Sequence, residues 1–262
     1  VSDFLRKYGP WALVAGASEG IGAAFAEEIA ARGLPMILLA RRVEPLEALA
    51  ARLRAAHGVE VRTASVDLGA PSLLDDVRRV TAGLDVGLLV YNAAVSLIGP
   101  FLEQSLDDKL RALDVNCRGP LILSDELGRA MARRGRGGII LMSSLAGTQG
   151  TPYVATYAAT KAFNLVLAEG LWDELRERGV DVLACRAGAT RTPAFERSKP
   201  APGPAPIMDA KPVAAQALSA LGKGPSMVPG AFNGAVAFLM QRVMPRRAAV
   251  ATMGNATRKM YR

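Results

Sequence analysis

The sequence predicts a doubly wound α/β fold, a parallel sheet with helices on both faces, on three observations. Short apolar runs alternate with longer amphipathic ones over most of the 262 residues, the rhythm of strands joined by crossover helices. Several short runs are apolar at consecutive positions, as strands covered on both faces should be. Gly33, Gly58, Gly135 and Gly179 stand at or just past the ends of the helical patterns, where a left-handed C-cap needs them.

In chain order, strands are expected over 11–15, 36–40, 59–65, 86–91, 138–143 and 180–187, with helices over 21–32, 44–56, 71–82, 107–134 and 152–178. After Thr192 the pattern breaks, and five prolines between Pro193 and Pro206 predict a loop. A helix over 209–222, a short strand over 226–228 and an apolar helix over 231–244 follow. The expectation is one domain over 1–262, with 193–210 as a substrate lid loop and 231–262 as a basic C-terminal extension. A chain of this length buries roughly 75% of its unfolded surface without needing disulfides.

Lys and Arg number 32 against 24 Asp and Glu, a formal net charge of +8. Residues 1–210 are balanced; the excess lies in 211–262, with eight basic side chains and no acid. That segregation argues against a nucleic-acid partner, whose phosphate contacts usually spread over the face carrying the recognition element. Cys117 and Cys185 lie far apart in apolar stretches and are expected as buried, reduced thiols. His57, the one histidine, closes a helix before Gly58 and has no Cys or acidic cluster to make a metal site. The opening residues VSDFLRKYGP are polar, and no apolar run reaches the ~18 residues of a membrane span. The expected location is the cytoplasm.

The first strand runs into Gly16-Ala17-Ser18-Glu19-Gly20-Ile21-Gly22 and then a helix. Such a turn brings backbone N–H groups and the positive end of the helix dipole to a pyrophosphate. Gly16, Ser18, Glu19, Gly20, Ile21 and Gly22 are therefore the first candidate cofactor residues. Further on come Asn92-Ala93-Ala94 after the fourth strand, Asn116 early in a long helix and Ser143-Ser144 ending the fifth strand. Tyr157-Ala158-Ala159-Thr160-Lys161 follows, its Tyr 13 residues after Ser144. In this order and spacing, the chain resembles the classical short-chain dehydrogenase/reductase family over residues 10–192, and so implies a Rossmann fold. The endings Val228-Pro229-Gly230 and Pro245-Arg246-Arg247 resemble an NADP-preferring subgroup. Three positions depart from the family: Ala15 stands where Thr is frequent, Ala94 where Gly is, and Ala187 where Pro is.

The second strand closes with Leu39-Ala40-Arg41-Arg42. A carboxylate at its end would bind a ribose diol and repel a 2′-phosphate, whereas guanidinium groups pair with the phosphate. With no acid at Ala40, Arg41 and Arg42 point to NADP over NAD, although Glu19 counts slightly against it. The resemblance implies Asp67 and Leu68 beside the adenine, Asn92 with Ala93 at the adenosine-side ribose, and Gly188, Thr190 and Thr192 at the nicotinamide amide.

Tyr157 and Lys161, four residues apart, project from one helix face. A free phenol titrates near 10, and a neighbouring ammonium lowers that value, which makes Tyr157 a candidate general acid/base. By the resemblance, Ser144 binds the reacting oxygen, Lys161 also holds the nicotinamide ribose, and Asn116 supports a water-linked relay to Lys161. Ser143 is the competing serine. Leu145, Tyr153 and Phe195, with Ser144, are the candidate substrate contacts, in a region whose charges are Arg191, Arg197 and Lys199. Their apolar character favours a hydrophobic ketone or secondary alcohol. The alternative is a non-catalytic dinucleotide-binding regulator or scaffold.

In the tail, Phe232, Val236, Leu239 and Val243 form a helical stripe expected in a core or interface. Phe238 and Met244 lie off it, so three placements stay open: against the chain's own core or a symmetry mate, over a lipophilic pocket, or on an anionic membrane surface. The family's pairing of long helices implies a homodimer or homotetramer.

Overall fold

β1 (Trp11–Ala15) is buried along its whole length because strands lie on both sides of it and helices on both faces. A computed structural model, which describes residues 2–198, 201 and 206–261, shows the arrangement. The other sheet members are β2 (Met36–Ala40), β3 (Val61–Ser65), β4 (Val86–Tyr91), β5 (Gly137–Ser144), β6 (Val180–Ala187) and the short β9 (Ser226–Met227). They pair in parallel in the order β3-β2-β1-β4-β5-β6-β9. The winding reverses between β1 and β4, and crevices at such switch points, outside the carboxyl ends of the strands, are where open α/β sheets bind ligands.

One face of the sheet packs against α2 (Gly20–Ala30), α3 (Val43–His57) and α9 (Ala210–Ala220), through Phe25, Ile29, Leu46, Leu53 and Val213. The other packs against α4 (Leu73–Val80), α6 (Gly119–Arg134) and α7 (Ala155–Arg176), through Leu73, Val77, Leu123, Met131 and Ala168. Each helix presents an apolar stripe to consecutive apolar strand residues, so the two core layers follow from the sequence pattern.

The expected helix over 107–134 is interrupted. α5 (Leu106–Leu113) and α6 are joined by a π-helical turn, Asp114–Arg118. Pro120 has no N–H to give to the carbonyl four residues back, and Gly119 N reaches Asp114 O instead, five residues back. Asn116 sits in that turn.

Other departures are local. β3 starts at Val61, two residues later than expected. α1 (Asp3–Tyr8), capped by Ser2, was not foreseen, and Gly138 leaves the room that the Tyr8 ring fills. Within the expected 193–210 loop, α8 (Pro193–Arg197) forms because Thr192 caps it and Pro193 takes the first helical position. β7 (Thr190–Arg191) and β8 (Met208–Asp209) pair in parallel beside it. Lys199 and Pro200, and residues 202–205 of that loop, lie outside the described residues. Cys185 is buried as expected, but Cys117 is only half-buried.

The tail contains two helices, α10 (Ala231–Phe238), which runs into a π turn at Leu239–Val243, and α11 (Arg246–Tyr261). α11 was missed because its residues carry little apolar periodicity; Ala, Arg, Met and Lys favour a helix by propensity alone. On α10 the inward positions are Asn233 and Ala237, while Phe232, Phe238, Leu239 and Val243 are exposed. The predicted stripe is therefore not packed in this chain's own core. No helix among the described residues is long and apolar enough to cross a membrane.

Candidate active site

Glycine is required where β1 turns into α2. A Cβ on Gly16 (φ +83°) would lie 2.6 Å from the Ala93 nitrogen, and one on Gly22 would collide with the Gly16 carbonyl oxygen. Asn92 Nδ2 donates to Gly16 O at 2.9 Å, and the Asn92 and Ala93 nitrogens both donate to Ala15 O. These bonds tie the ends of β1 and β4 together at the switch point. The first N–H groups of α2, including those of Ile21 and Gly22, have no intrahelical acceptor, and the Glu19 side chain does not cap them. They present a donor set for an anion.

Glu19 is turned the other way. Its carboxylate lies 2.6 Å from Arg42 Nη2 and 2.5 Å from Arg197 Nη2, and Ser18 Oγ is 3.4 Å from the same Arg42 nitrogen. The hydrogen bond from Arg197 outweighs burial and, with Arg42, holds the carboxyl below its usual range. Arg41 follows β2, and its charge reaches Asp67. Burial alone would raise the Asp67 carboxyl; the bonds from Arg111 and Gly69 N–H and the Arg111 and Arg41 charges lower it. Leu68 is buried beside it.

Asn116 is fully buried. Its Oδ1 accepts from Val95 N at 2.7 Å, and its Nδ2 donates to Val95 O at 2.8 Å and Thr160 Oγ1 at 3.0 Å. The carboxamide thus joins the segment after β4, the π turn and α7.

At the end of β5, alternation along the strand sends the two serines to opposite sides. Ser143 Oγ donates to Lys161 O at 2.7 Å, whereas Ser144 Oγ accepts from Ala146 N at 3.2 Å and acts on the Tyr157 phenol. Lys161 Nζ donates to Met142 O at 2.8 Å and stands 5.6 Å from the centre of the Tyr157 ring. Burial pushes the Tyr157 phenol up, Ser144 pulls it down, and the Tyr261 phenol pushes it up again. Burial also lowers Lys161 to about 8. Burial is the largest influence on the Tyr157 phenol in the ligand-free chain and raises it.

The remaining predicted residues lie on the segments after β5 and β6. Gly188 O accepts from Thr190 Oγ1 at 3.0 Å, and Thr192, at the start of α8, packs directly over Gly20. Leu145 begins a 3₁₀ turn (Leu145–Thr148). Tyr153, at φ +67° despite its side chain, precedes α7, and its carbonyl accepts from Gly99 N at 2.8 Å. Phe195 is half-buried on α8.

α11 lies along the segment that carries Leu145 and Tyr153. Arg246 Nη1 donates to Thr148 O at 2.8 Å, and Thr257 Oγ1 to Pro152 O at 3.0 Å. Ala201 N donates to Met260 O at 2.9 Å, and at the end of α11 burial raises the Tyr261 phenol while Ser198 lowers it. α11 thus packs beside the 145–153 segment, while Phe232, Phe238, Leu239 and Val243 of the apolar helix, for which three placements were left open, stay exposed.

The sequence profile of the family described as short chain dehydrogenase matches residues 10–202. The chain belongs to the short-chain dehydrogenase family. A 7beta-hydroxysteroid dehydrogenase of Collinsella aerofaciens is 34% identical over 195 residues, 74% of each chain. A solved 7beta-hydroxysteroid dehydrogenase, studied for its stereoselectivity, superposes with a TM-score of 0.89 at 29% identity, covering 96% of this chain and 99% of its own. A short-chain dehydrogenase from Sphingobium yanoikuyae in complex with NADPH gives 0.77 at 32% identity, covering 90% and 97%. The protein is thus an oxidoreductase of a family whose members act on small molecules with a nicotinamide dinucleotide.

In this short-chain dehydrogenase several site residues escaped the sequence reading. Thr160 lies inside the Tyr-to-Lys motif and could have been flagged. Arg111, Asn233 and Tyr261 carry no local signal, since each meets its partner only through the fold. Asn233 lies against Gly188, where a Cβ would be 2.8 Å from its Nδ2.

Proposed function

We propose that the protein interconverts a bulky hydrophobic ketone and its secondary alcohol with NADP(H), using Tyr157 as general acid/base. The observation that carries this reading is the packing of the carboxyl end of β5 on α7, which sets Ser144 where it lowers the Tyr157 phenol and Lys161 with its Nζ 5.6 Å from the centre of the phenol ring. The glycine turn fits a dinucleotide, because its backbone leaves no room for side chains and its N–H donors are uncapped. Gly16, Ser18, Gly20, Ile21 and Gly22 would hold the pyrophosphate, Asp67, Leu68, Asn92 and Ala93 the adenosine, and Gly188, Thr190 and Thr192 the nicotinamide end. When bound, the cofactor supplies or accepts the hydride.

The chain's own residues handle the proton. In reduction, Tyr157 Oη gives its proton to the carbonyl oxygen while Ser144 donates to the same atom. Burial keeps the phenol protonated for that step. In the reverse direction a phenolate is needed, and Lys161 is the nearby cation that favours it. Asn116 positions α7 through Thr160 and so fixes where the phenol stands.

Arg41 and Arg42, with no acid at Ala40, support NADP over NAD, as does the NADPH in the Sphingobium relative. Leu145, Tyr153 and Phe195 support an apolar substrate, in keeping with the steroid named for the Collinsella relative. The exposed Leu106, Leu110 and Leu113 of α5 and Val166 of α7 support pairing of subunits. The test follows NADPH and NADH oxidation against a panel of hydrophobic ketones, steroid-like ones included, with Tyr157→Phe as the blank. Consumption of NADPH with at least one bulky ketone is expected; none with any, or equal rates with NADH, would count against the reading.

A further inference from the structure

Glu19 holds two arginines that are far apart in sequence. Its Oε2 is 2.6 Å from Nη2 of Arg42, and its Oε1 is 2.5 Å from Nη2 of Arg197 on α8. Arg197 Nη1 is also 3.4 Å from Oε2. The Arg197 guanidinium therefore already faces both carboxylate oxygens, close to the side-by-side geometry of a bidentate pair. Thr192, the N-cap of α8, packs on Gly20 and so seats that helix on the glycine turn.

One negative charge thus serves two cations, and one of them is the group that the NADP reading gives to the 2′-phosphate. A phosphate approaching Arg42 meets the Glu19 carboxylate on the same guanidinium, and the two anions repel. The conflict is relieved if Glu19 gives up Arg42 and keeps Arg197, which can take both of its oxygens. We propose that Arg197 is a specificity-determining residue for the phosphorylated cofactor and acts through Glu19, by drawing the carboxylate away from Arg42. The proposal rests on the NADP reading above. It explains why an acid, which counts against NADP when the turn is read alone, is compatible with it here: a third residue, 178 positions along the chain, neutralises it.

Two consequences separate this role from a structural one. Arg197 touches the acid and not the ligand, so its effect is confined to ligands with a 2′-phosphate. It also vanishes when the Glu19 charge is removed. By linkage, the phosphate strengthens the Glu19–Arg197 bond as much as that bond strengthens phosphate binding.

The experiment measures calorimetric affinities of 2′,5′-ADP and 5′-AMP for the full chain, for Arg197→Met, for Glu19→Gln and for the double variant. Wild type is expected to prefer 2′,5′-ADP. Arg197→Met should weaken 2′,5′-ADP about two- to fivefold, the range of an exposed ion pair, and leave 5′-AMP unchanged. Glu19→Gln should bind 2′,5′-ADP at least as tightly as wild type, and the double variant should match Glu19→Gln. Equal weakening of both ligands by Arg197→Met, or a loss that persists in the double variant, would overturn the proposal. So would a wild-type preference for 2′,5′-ADP that none of the substitutions changes. Equal wild-type binding of the two ligands would instead overturn the NADP reading itself.

Discussion

Ser143 Oγ donates to the Lys161 carbonyl oxygen at 2.7 Å, from a strand position adjacent to the serine that meets Tyr157. Two identical hydroxyls, one residue apart, therefore have separate tasks: one anchors α7 to β5, the other faces the pocket. Ser144→Ala should lower kcat about 10²- to 10³-fold, the scale of a lost oxyanion donor, with NADPH affinity nearly unchanged. Ser143→Ala should cost about 1 kcal/mol of stability, a buried hydrogen bond, and leave kcat within a few-fold. Steady-state kinetics and thermal melts of both variants decide it, and the reverse pattern would exchange their roles.

Tyr157→Phe removes the proton without removing the ring. The expected result is no measurable turnover, with the NADPH-induced rise in Tm kept within a degree or two of wild type, since binding stabilises by RT ln(1 + [L]/Kd) whether or not chemistry follows. Loss of that rise together with activity would mean that the hydroxyl holds the cofactor instead.

Lys161 makes a pH signature in the ligand-free chain. Unfolded, it titrates at its ordinary 10.5; folded, burial lowers it to about 8. Below pH 8 both states carry the proton and the fold bears the full cost of the buried charge. Between about 8 and 10.5 the unfolded state binds more protons, so rising pH favours the fold. Cys185 opposes this, since burial pushes its thiol up to about 12 from an ordinary 9.0. The comparison must therefore be a difference. Between pH 7 and 10, wild type should gain on the order of 3 kcal/mol of unfolding free energy relative to Lys161→Met. Denaturant titrations across that range check it, and a pH-independent difference would mean that Lys161 is not carried as a buried charge.

Most of the architecture was legible because it depends on local pattern. Strands 11–15, 36–40, 86–91 and 180–187 coincide with the observed ones, being apolar runs bounded by turn residues. The glycine turn was legible for the same reason, since a steric requirement on Gly16 and Gly22 leaves a mark in the sequence. What could not be read was pairing over distance. Nothing near Glu19 announces Arg197, and nothing near Tyr157 announces Tyr261. The α5–α6 break was readable in principle, since Pro120 inside a long helical pattern removes one bond of the ladder. α8 and α11 were hidden for opposite reasons: one by prolines, of which the first favours a helix start, and the other by a composition without a stripe.

The last expectation concerns the glycine that lets α11 approach the pocket. A Cβ at Gly254 would lie 3.0 Å from Pro152 Cγ and 3.4 Å from the Arg258 guanidinium. Pro152 is next to Tyr153 and its carbonyl holds Thr257, so a large side chain at 254 must push α11 away from this segment. Gly254→Leu should therefore lower kcat/KM for a bulky ketone about 10- to 100-fold, the scale of a misplacement of roughly 1 Å. NADPH affinity should hold, because the residues that crowd the glycine turn are Ala93, Asn92 and Thr192, none of them on α11. A small ketone, which needs fewer of the pocket walls, should lose much less. Parallel kinetics with one bulky and one small ketone separate these outcomes. An equal loss for both would place the effect on Tyr157 itself, through the neighbouring Tyr261, rather than on the pocket wall.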